Sequence, residues 1–341
     1  MSRAPVILEV ENLKVWFPTI VNQGLWGKRR YVKAIDGISF NVREGEVLGV
    51  VGESGCGKST MGMAVLNLLK PTDGRAVWMG EDLYTMSSSK LQKVRQNLQV
   101  IFQDPVASLD PRMTVGQIIA EPLITHQPEL SKQEVHEQVH AVMKKVGLLP
   151  EMINRYPHEF SGGQAQRIGI ARAIILRPKL IVCDEAVSAL DVSIQAQIIN
   201  LLKALRDEMG LSLIFISHNM SVVHHISDRI LVLYLGKVME VADADDLIYA
   251  PQHPYSKALI SAVPIADPRK YRANKMIELT GDIPSPLNPP PGCVFSTRCP
   301  LADEQCKRDA PALQEIQAQT DELEAHQVAC HYYQRIDEVG A

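Results

Sequence analysis

Hydrophobic residues along the chain fall into distinct patterns, and each predicts a different element. The runs VLGVV (47–51), LIVC (180–183) and LSLIFIS (211–217) are continuous, too short for typical helices and without polar alternation. They predict strands buried on both faces, hence a parallel sheet. Helical patterns follow the first two runs: KSTMGMAVLNLLK from Lys58, and SIQAQIINLLKALRDEM from Ser193, closed by Gly210. Strand followed by helix predicts an α/β core with helices on both sides. The start of the chain differs, because ILEVENLKVWF and YVKAIDGISFNVREGE predict antiparallel strands, separated by an insertion with Gly24, Gly27 and a basic cluster. A later β pattern, RILVLYLGKVMEVA, folds over a turn at Gly236 and Lys237.

Residues from about 88 to 165 interrupt the strand and helix alternation. Within them SKQEVHEQVHAVMKKVGL has Ser131 and Glu134 in capping-box spacing and Val135, Val139, Val142 and Val146 on one face, which predicts a mainly helical insertion. From Pro251 prolines multiply, through APQHPYSKAL to GDIPSPLNPPPGC, and mark a linker or irregular segment leading to a C-terminal appendage. The expected division is therefore 1–250 for the main domain, with 88–165 inserted in it, and 251–341 for the appendage.

Composition narrows the class. A chain of 341 residues, 46% hydrophobic and 22% charged, is globular and long enough for one large domain and a smaller one. Glu9 and Glu11 interrupt the N-terminal stretch before a signal-peptide core develops, and no uncharged apolar run reaches the ~18 residues that cross a bilayer. The expectation is a soluble cytosolic protein, unless a partner holds it at a membrane. A net charge of −4 gives no general attraction to nucleic acid or anionic lipid. In a reducing compartment the six cysteines are expected as free thiols or metal ligands rather than disulfides.

GESGCGKST, residues 52–60, fits G-x-x-x-x-G-K-[ST] directly after a strand and before a helix. Gly52, Gly55 and Gly57 let the backbone N–H groups of the loop, through Glu53, Ser54 and Cys56, approach phosphate oxygens, and the helix that begins near Ser59 and Thr60 adds a favourable dipole. Lys58 is expected to reach the β and γ phosphates of ATP and Ser59 to ligand Mg²⁺. The bland alternative, a glycine turn with a solvated lysine, does not account for the strand and helix on either side. The second half of such a site is found in LIVCDE, where Asp184 suits Mg²⁺ and Glu185 suits orienting and activating water. Two acidic residues at a strand end are ordinarily a solvated exit; in a chain with this loop they read as its partners.

FSGGQAQR (160–167) decides which class of phosphate-loop protein this is, because it resembles the signature of ABC ATPases. Other motifs of that family appear in order over roughly residues 6–250. VIFQDP supplies Gln103, SALD ends in Asp191, ISHNMS holds His218, and ENLKVWF offers an aromatic for adenine, foremost Phe17, with Trp16 and Tyr31 as weaker candidates. The resemblance implies that Gln103 assists at Mg²⁺ and the attacking water, and that His218 touches the γ-phosphate. It also implies that Ser161, Gly162, Gly163 and Gln164, with Asp191, face the nucleotide of a second subunit. Two chains would close head to tail on two ATP molecules, and a lone chain would hydrolyse poorly. The sequence departs from the commonest family wording at Ala186, Val187 and Asn219, and none of these removes a group that handles phosphate, metal or water.

DPVASLDPRMTVGQIIAEPL, HPYSKALISAVP and GDIPSPLNPPPGCVFSTRC extend the resemblance to nearly the whole chain and resemble the F-type ATPase subunits of dipeptide and oligopeptide importers. That resemblance implies a homologous second ATPase, two membrane permeases above the pair, an extracytoplasmic substrate-binding protein, and residence at the cytoplasmic face of the membrane. The segment after Gln103 would form part of the groove for a permease coupling helix. Two other readings stand beside it: an ABC ATPase that does not transport, and an ATPase whose C-terminal cysteines sense redox state or metal. Cys56 and Cys183 are explained by packing. The remaining four, Cys293, Cys299, Cys306 and Cys330, lack a C-x-x-C pair, so spacing leaves structural zinc, an iron–sulfur cluster and free thiols open. The family resemblance favours a [4Fe–4S] cluster.

Overall fold

The computed structural model describes residues 4–23, 26–263, 276–316 and 325–340. The chain forms two compact units: one comprises the residues up to Ile7 with 42–47 and 81–216, and the other 8–41, 48–80 and 217 onward.

The first unit is built on three parallel strands. Leu180–Asp184 lies between Leu98–Ile101 and Ser212–Ile216, in register from Leu98↔Leu180 to Ile101↔Cys183 on one side and from Leu180↔Ser212 to Asp184↔Ile216 on the other. Every residue of LIVCD and SLIFI is buried, as their unbroken apolar runs require. The helix Val192–Met209 follows, with Ile198, Ile199, Leu202 and Leu205 buried and Gly210 closing it in the left-handed conformation. Its N-cap is Asp191, whose Oδ1 accepts the N–H groups of Ser193 and Ile194 at 3.1 and 3.0 Å.

Helices Val115–His126, Lys132–Lys145 and Gly162–Ile174 each begin with a capping box, at Thr114/Gln117, Ser131/Glu134 and Ser161/Gln164. On Lys132–Lys145 the predicted stripe is placed with Val139 buried and Val135 and Val142 half-buried, joined by buried Met143 and Val146. The stretch 88–165 is not helical throughout: the Leu98–Ile101 strand sits within it, after the helix Ser88–Val94. Four residues, with only Leu98 and Ile101 buried, carry too little pattern to announce a strand.

In the second unit the residues from Leu48 to Val51 run parallel to Arg229–Tyr234, from Leu48↔Arg229 to Val51↔Val232. Leu235 and Gly236, with φ of 46° and 73°, turn that strand back into the antiparallel Lys237–Asp243. Two consecutive positive φ values give the turn whose twist matches that of a hairpin. Lys237–Asp243 pairs in turn with His326–Val328, and that with Gln314–Ile316, so the C-terminal segment adds strands to this sheet. A second sheet places Val6–Gln23 beside Trp26–Arg43 and antiparallel to Asp73–Trp78. The expected insertion between the first two strands is short: Gly27 belongs to the Trp26–Arg43 strand, and Gly24 lies outside the described residues.

The proline-rich region after Pro251 contains a helix, Pro254–Ser261, where a linker is expected from composition. Pro254 occupies the first helical position, where its missing N–H costs nothing. His253 is the N-cap: its Nδ1 accepts the Tyr255 N–H at 3.0 Å, and burial pushes the imidazole down to about 3, which keeps it neutral and able to accept. Among the described residues no helix is long and apolar enough to cross a membrane.

A fully buried carboxylate, Glu240, fastens this helix and the C-terminal strands to the sheet. It accepts the N–H groups of Gln252 and His253 at 2.6 and 3.0 Å and pairs with His326 Nε2 at 2.6 Å. Glu240→Leu leaves those donors without an acceptor and is expected to cost about 3–5 kcal/mol. The urea midpoint, compared with wild type at unchanged m-value, measures it.

Candidate nucleotide site

In the second unit, Val47–Val51 delivers the chain into the loop 52–57. Gly52 and Gly57 are required there by backbone: at φ 155° a Cβ on Gly52 would lie 2.1 Å from the Leu233 carbonyl oxygen, and at φ 107° one on Gly57 would lie 2.3 Å from that of Ala34. The loop curls around Lys58, the first residue of helix Lys58–Val65, whose side chain is only 5% exposed. Its Nζ donates to the Gly52 and Glu53 carbonyls at 2.8 and 3.0 Å, and lies 3.8 Å from Cys56 Sγ. Burial raises the Cys56 thiol, so the sulfur stays neutral beside the ammonium. Ser54 and Gly55 are exposed at the tip, and Ser59 and Thr60 are half-buried on the first helical turn.

The same unit carries His218, exposed just past Ser217, whose N–H donates to the Val50 carbonyl at 3.1 Å. Asn219 caps the next helix, Met220–Ile226, through its side chain, a role its frequent replacement aspartate would fill equally. Of the three aromatic candidates, Trp16 is engaged: its indole N–H donates to Asp36 Oδ1 at 3.1 Å, Lys33 lies over its ring, and Tyr31 packs 6.3 Å away. Phe17 is 39% exposed.

In the first unit the Leu180–Asp184 strand ends in buried Asp184 and then Glu185. Glu185 has φ 45°, a left-handed backbone conformation that is costly for a residue with a Cβ. Hydrogen bonds hold it there: its N–H donates to the Ile216 carbonyl at 3.0 Å, and its own carbonyl accepts the Ser188 N–H at 3.0 Å. Its Oε2 accepts from Gln103 Nε2 at 3.2 Å, so the two residues predicted to handle water are brought together. The signature region forms the start of Gly162–Ile174. Ser161 Oγ accepts the Gln164 N–H at 3.4 Å while Gln164 Oε1 accepts the Ser161 N–H at 3.1 Å. Asp191 is held below the usual carboxylate range, first by the Ile194 N–H and then by the Ser193 hydroxyl.

Cys293, Cys299, Cys306 and Cys330 line one cavity of about 10 Å³, walled by Phe295, Leu301 and Tyr332 among others. Burial pushes Cys299 up to about 12 and Cys330 up to about 11, and raises Cys293 and Cys306 in the same direction. The Tyr332 N–H already points to Cys330 Sγ at 3.4 Å. The thiols are thus gathered, yet among the described residues no group of three or more His, Cys, Asp or Glu side chains is arranged to hold a metal ion. Cys56 and Cys183 lie elsewhere, buried as small residues.

Two side chains that grip the loop are invisible to motif reading. Tyr255 Oη accepts the Glu53 N–H at 2.9 Å, and Arg298 pairs with the Glu53 carboxylate across 245 positions of sequence. Neither follows from any local spacing.

A strand, phosphate loop and helix in one unit, with a strand-end Asp-Glu pair and a capped glycine signature in the other, define an ATPase of the ATP-binding cassette class. The family model for ABC transporters matches residues 35–188, and that for the C-terminal region of oligopeptide and dipeptide transporters matches 239–306. The oligopeptide transport ATP-binding protein OppF of Salmonella typhimurium is 58% identical over 92% of this chain and 94% of its own length. The oligopeptide transport ATP-binding protein AppF of Bacillus subtilis is 51% identical over 96% and 97%. Among solved structures, the dimeric post-hydrolysis state of the ATP-binding cassette MJ0796 bound to ADP and Pi aligns with a TM-score of 0.61 at 28% identity, covering 70% of this chain and 99% of that one. The chain belongs to the ABC transporter family, in its group of oligopeptide transport ATP-binding proteins.

Proposed function

We propose that this chain is the ATP-binding and hydrolysing subunit that powers an importer of oligopeptides or dipeptides. The observation that carries this reading is the match of residues 239–306 to the C-terminal region of oligopeptide and dipeptide transporters, in a chain that also holds the loop around Lys58. The match to a transporter's C-terminal region favours this reading over an ABC ATPase that does not transport.

The residue roles follow from chemistry. Lys58 and the N–H groups of residues 52–60 hold the phosphates, and Ser59, Gln103 and Asp184 attend Mg²⁺. Glu185 takes a proton from the attacking water, His218 contacts the γ-phosphate, and Phe17 stacks on adenine. Ser161, Gly162, Gly163, Gln164 and Asp191 complete the site of a second, homologous ATPase. ATP favours the closed pair because both subunits contact it, and only such differential affinity shifts a conformational equilibrium. Closure drives two permeases bound on the membrane side, fed by an extracytoplasmic binding protein, and the ATPase sits peripherally at the cytoplasmic face. Isolation of the native membrane complex tests this: a peptide delivered by a co-purifying binding protein should stimulate ATP hydrolysis. A complex without permeases, or one indifferent to peptides, would overturn it.

The four gathered thiols support a soft-metal centre, in which they would bind as thiolates and tie together a segment with a small core around Leu301, Ile336 and Val339. The four thiols line one small cavity but are not arranged to hold a metal ion as they stand, so a single zinc or the [4Fe–4S] cluster favoured by resemblance would each need the cysteines to shift. Anaerobic purification with iron, sulfide and zinc analysis is expected to return either about four iron and four sulfide per chain or about one zinc. Protein free of all three would leave the cysteines as packed thiols.

A further inference from the structure

Glu53, the second residue of the loop read as binding polyphosphate, brings a carboxylate into that loop. It does not stand alone. Arg298 Nη1 donates to Glu53 Oε2 at 2.6 Å and Nη2 to Oε1 at 3.1 Å, a bidentate pair in which the arginine side chain is 8% exposed. The Glu53 backbone is held as well, its N–H by the Tyr255 hydroxyl and its carbonyl by Lys58 Nζ. Arg298 is itself fixed: its N–H donates to the Phe295 carbonyl at 3.0 Å, and its guanidinium lies 5.9 Å from the Tyr234 ring. Phe295 is fully buried against Tyr234 and Tyr255, each 5.3 Å away. The phosphate loop is therefore tied to the C-terminal segment by an ion pair and by an aromatic cluster behind it.

We propose that Arg298 is a positioning residue for the phosphate loop: it neutralises Glu53 and holds that carboxylate on the C-terminal segment, so that affinity for MgATP depends on Arg298. The inference rests on reading residues 52–60 as the nucleotide loop. Its physical core is charge. A carboxylate no longer paired by Arg298 would repel phosphates bound to the loop, at an effective dielectric below that of water.

The test is equilibrium binding of a fluorescent ATP analogue with Mg²⁺ to the full chain, comparing wild type, Arg298→Ala, Arg298→Lys, Glu53→Gln and the Glu53→Gln/Arg298→Ala double variant. Arg298→Ala should weaken binding about tenfold, and Arg298→Lys less, because the charge stays while the fork is lost. The double variant should return to within about twofold of Glu53→Gln, since no free carboxylate is left to repel phosphate. Removing an arginine that merely supports the fold would not be rescued by a change in the loop. Wild-type affinity in Arg298→Ala, or a double variant as weak as Arg298→Ala, would overturn the proposal. Absence of binding by the wild type would overturn it together with the nucleotide reading of the loop.

Discussion

Glu185→Gln is expected to lower kcat for ATP hydrolysis by about 10²–10⁴-fold while leaving ATP bound. The substitution preserves shape, so the hydrogen bonds from the Glu185 N–H to Ile216 and from Ser188 to its carbonyl are unaffected. What disappears is the ability to take a proton from water, and the contact with Gln103 Nε2 becomes one between two amides. With hydrolysis blocked, the γ-phosphate that favours the closed pair is never removed. Size-exclusion chromatography with ATP and Mg²⁺ should therefore show an accumulated dimer, and a variant hydrolysing at the wild-type rate would remove Glu185 from its assigned role. The left-handed backbone of Glu185 supplies a companion test. Glu185→Gly relieves a conformation that costs on the order of 1–3 kcal/mol for a residue with a Cβ. It should raise the unfolding midpoint even as turnover is lost, a combination that separates chemistry from stability.

Much of the nucleotide site was legible in sequence because phosphate and Mg²⁺ chemistry requires fixed residue types at short spacing. The loop 52–60 needs glycines at Gly52 and Gly57 for reasons that the structure reduces to single contacts with Leu233 and Ala34. The buried strands were legible for a similar reason, since LIVCD and SLIFI leave no polar face to expose. Pattern failed where an element was short or its breaker residue had a second use. Leu98–Ile101 is only four residues, and Pro254 starts a helix where the multiplied prolines predict a linker or irregular segment. It also failed where the partner is remote: no spacing rule connects Arg298 to Glu53, or His326 to Glu240, 86 positions apart. These contacts exist only once the C-terminal strands have joined the sheet.

Gly162→Asp is the sharpest probe of the head-to-tail arrangement, because it should spare the subunit that carries it. Gly162 is the first residue of its helix, and a Cβ there would meet only Leu190 Cδ2 at 3.7 Å, an ordinary contact. A carboxylate at that helix end is favourable by about 0.3–1 kcal/mol, so stability should hold or rise. Gly163 is less suitable, since a Cβ there would lie 2.6 Å from Ile194 Cγ2. The same carboxylate placed against a γ-phosphate is repelled, and ATPase activity of the assembled complex should fall at least tenfold, about 1.4 kcal/mol or more in barrier. Combination with Lys58→Ala decides whose phosphate it meets. If each site takes its phosphate loop from one subunit and its signature from the other, the two substitutions on one chain spoil both sites of a mixed dimer. On opposite chains, one site then carries both substitutions and the other keeps a wild-type loop and signature. The opposite-chain dimer should therefore retain about half the activity and the same-chain dimer almost none. If each signature instead served its own chain's loop, the two results would be exchanged.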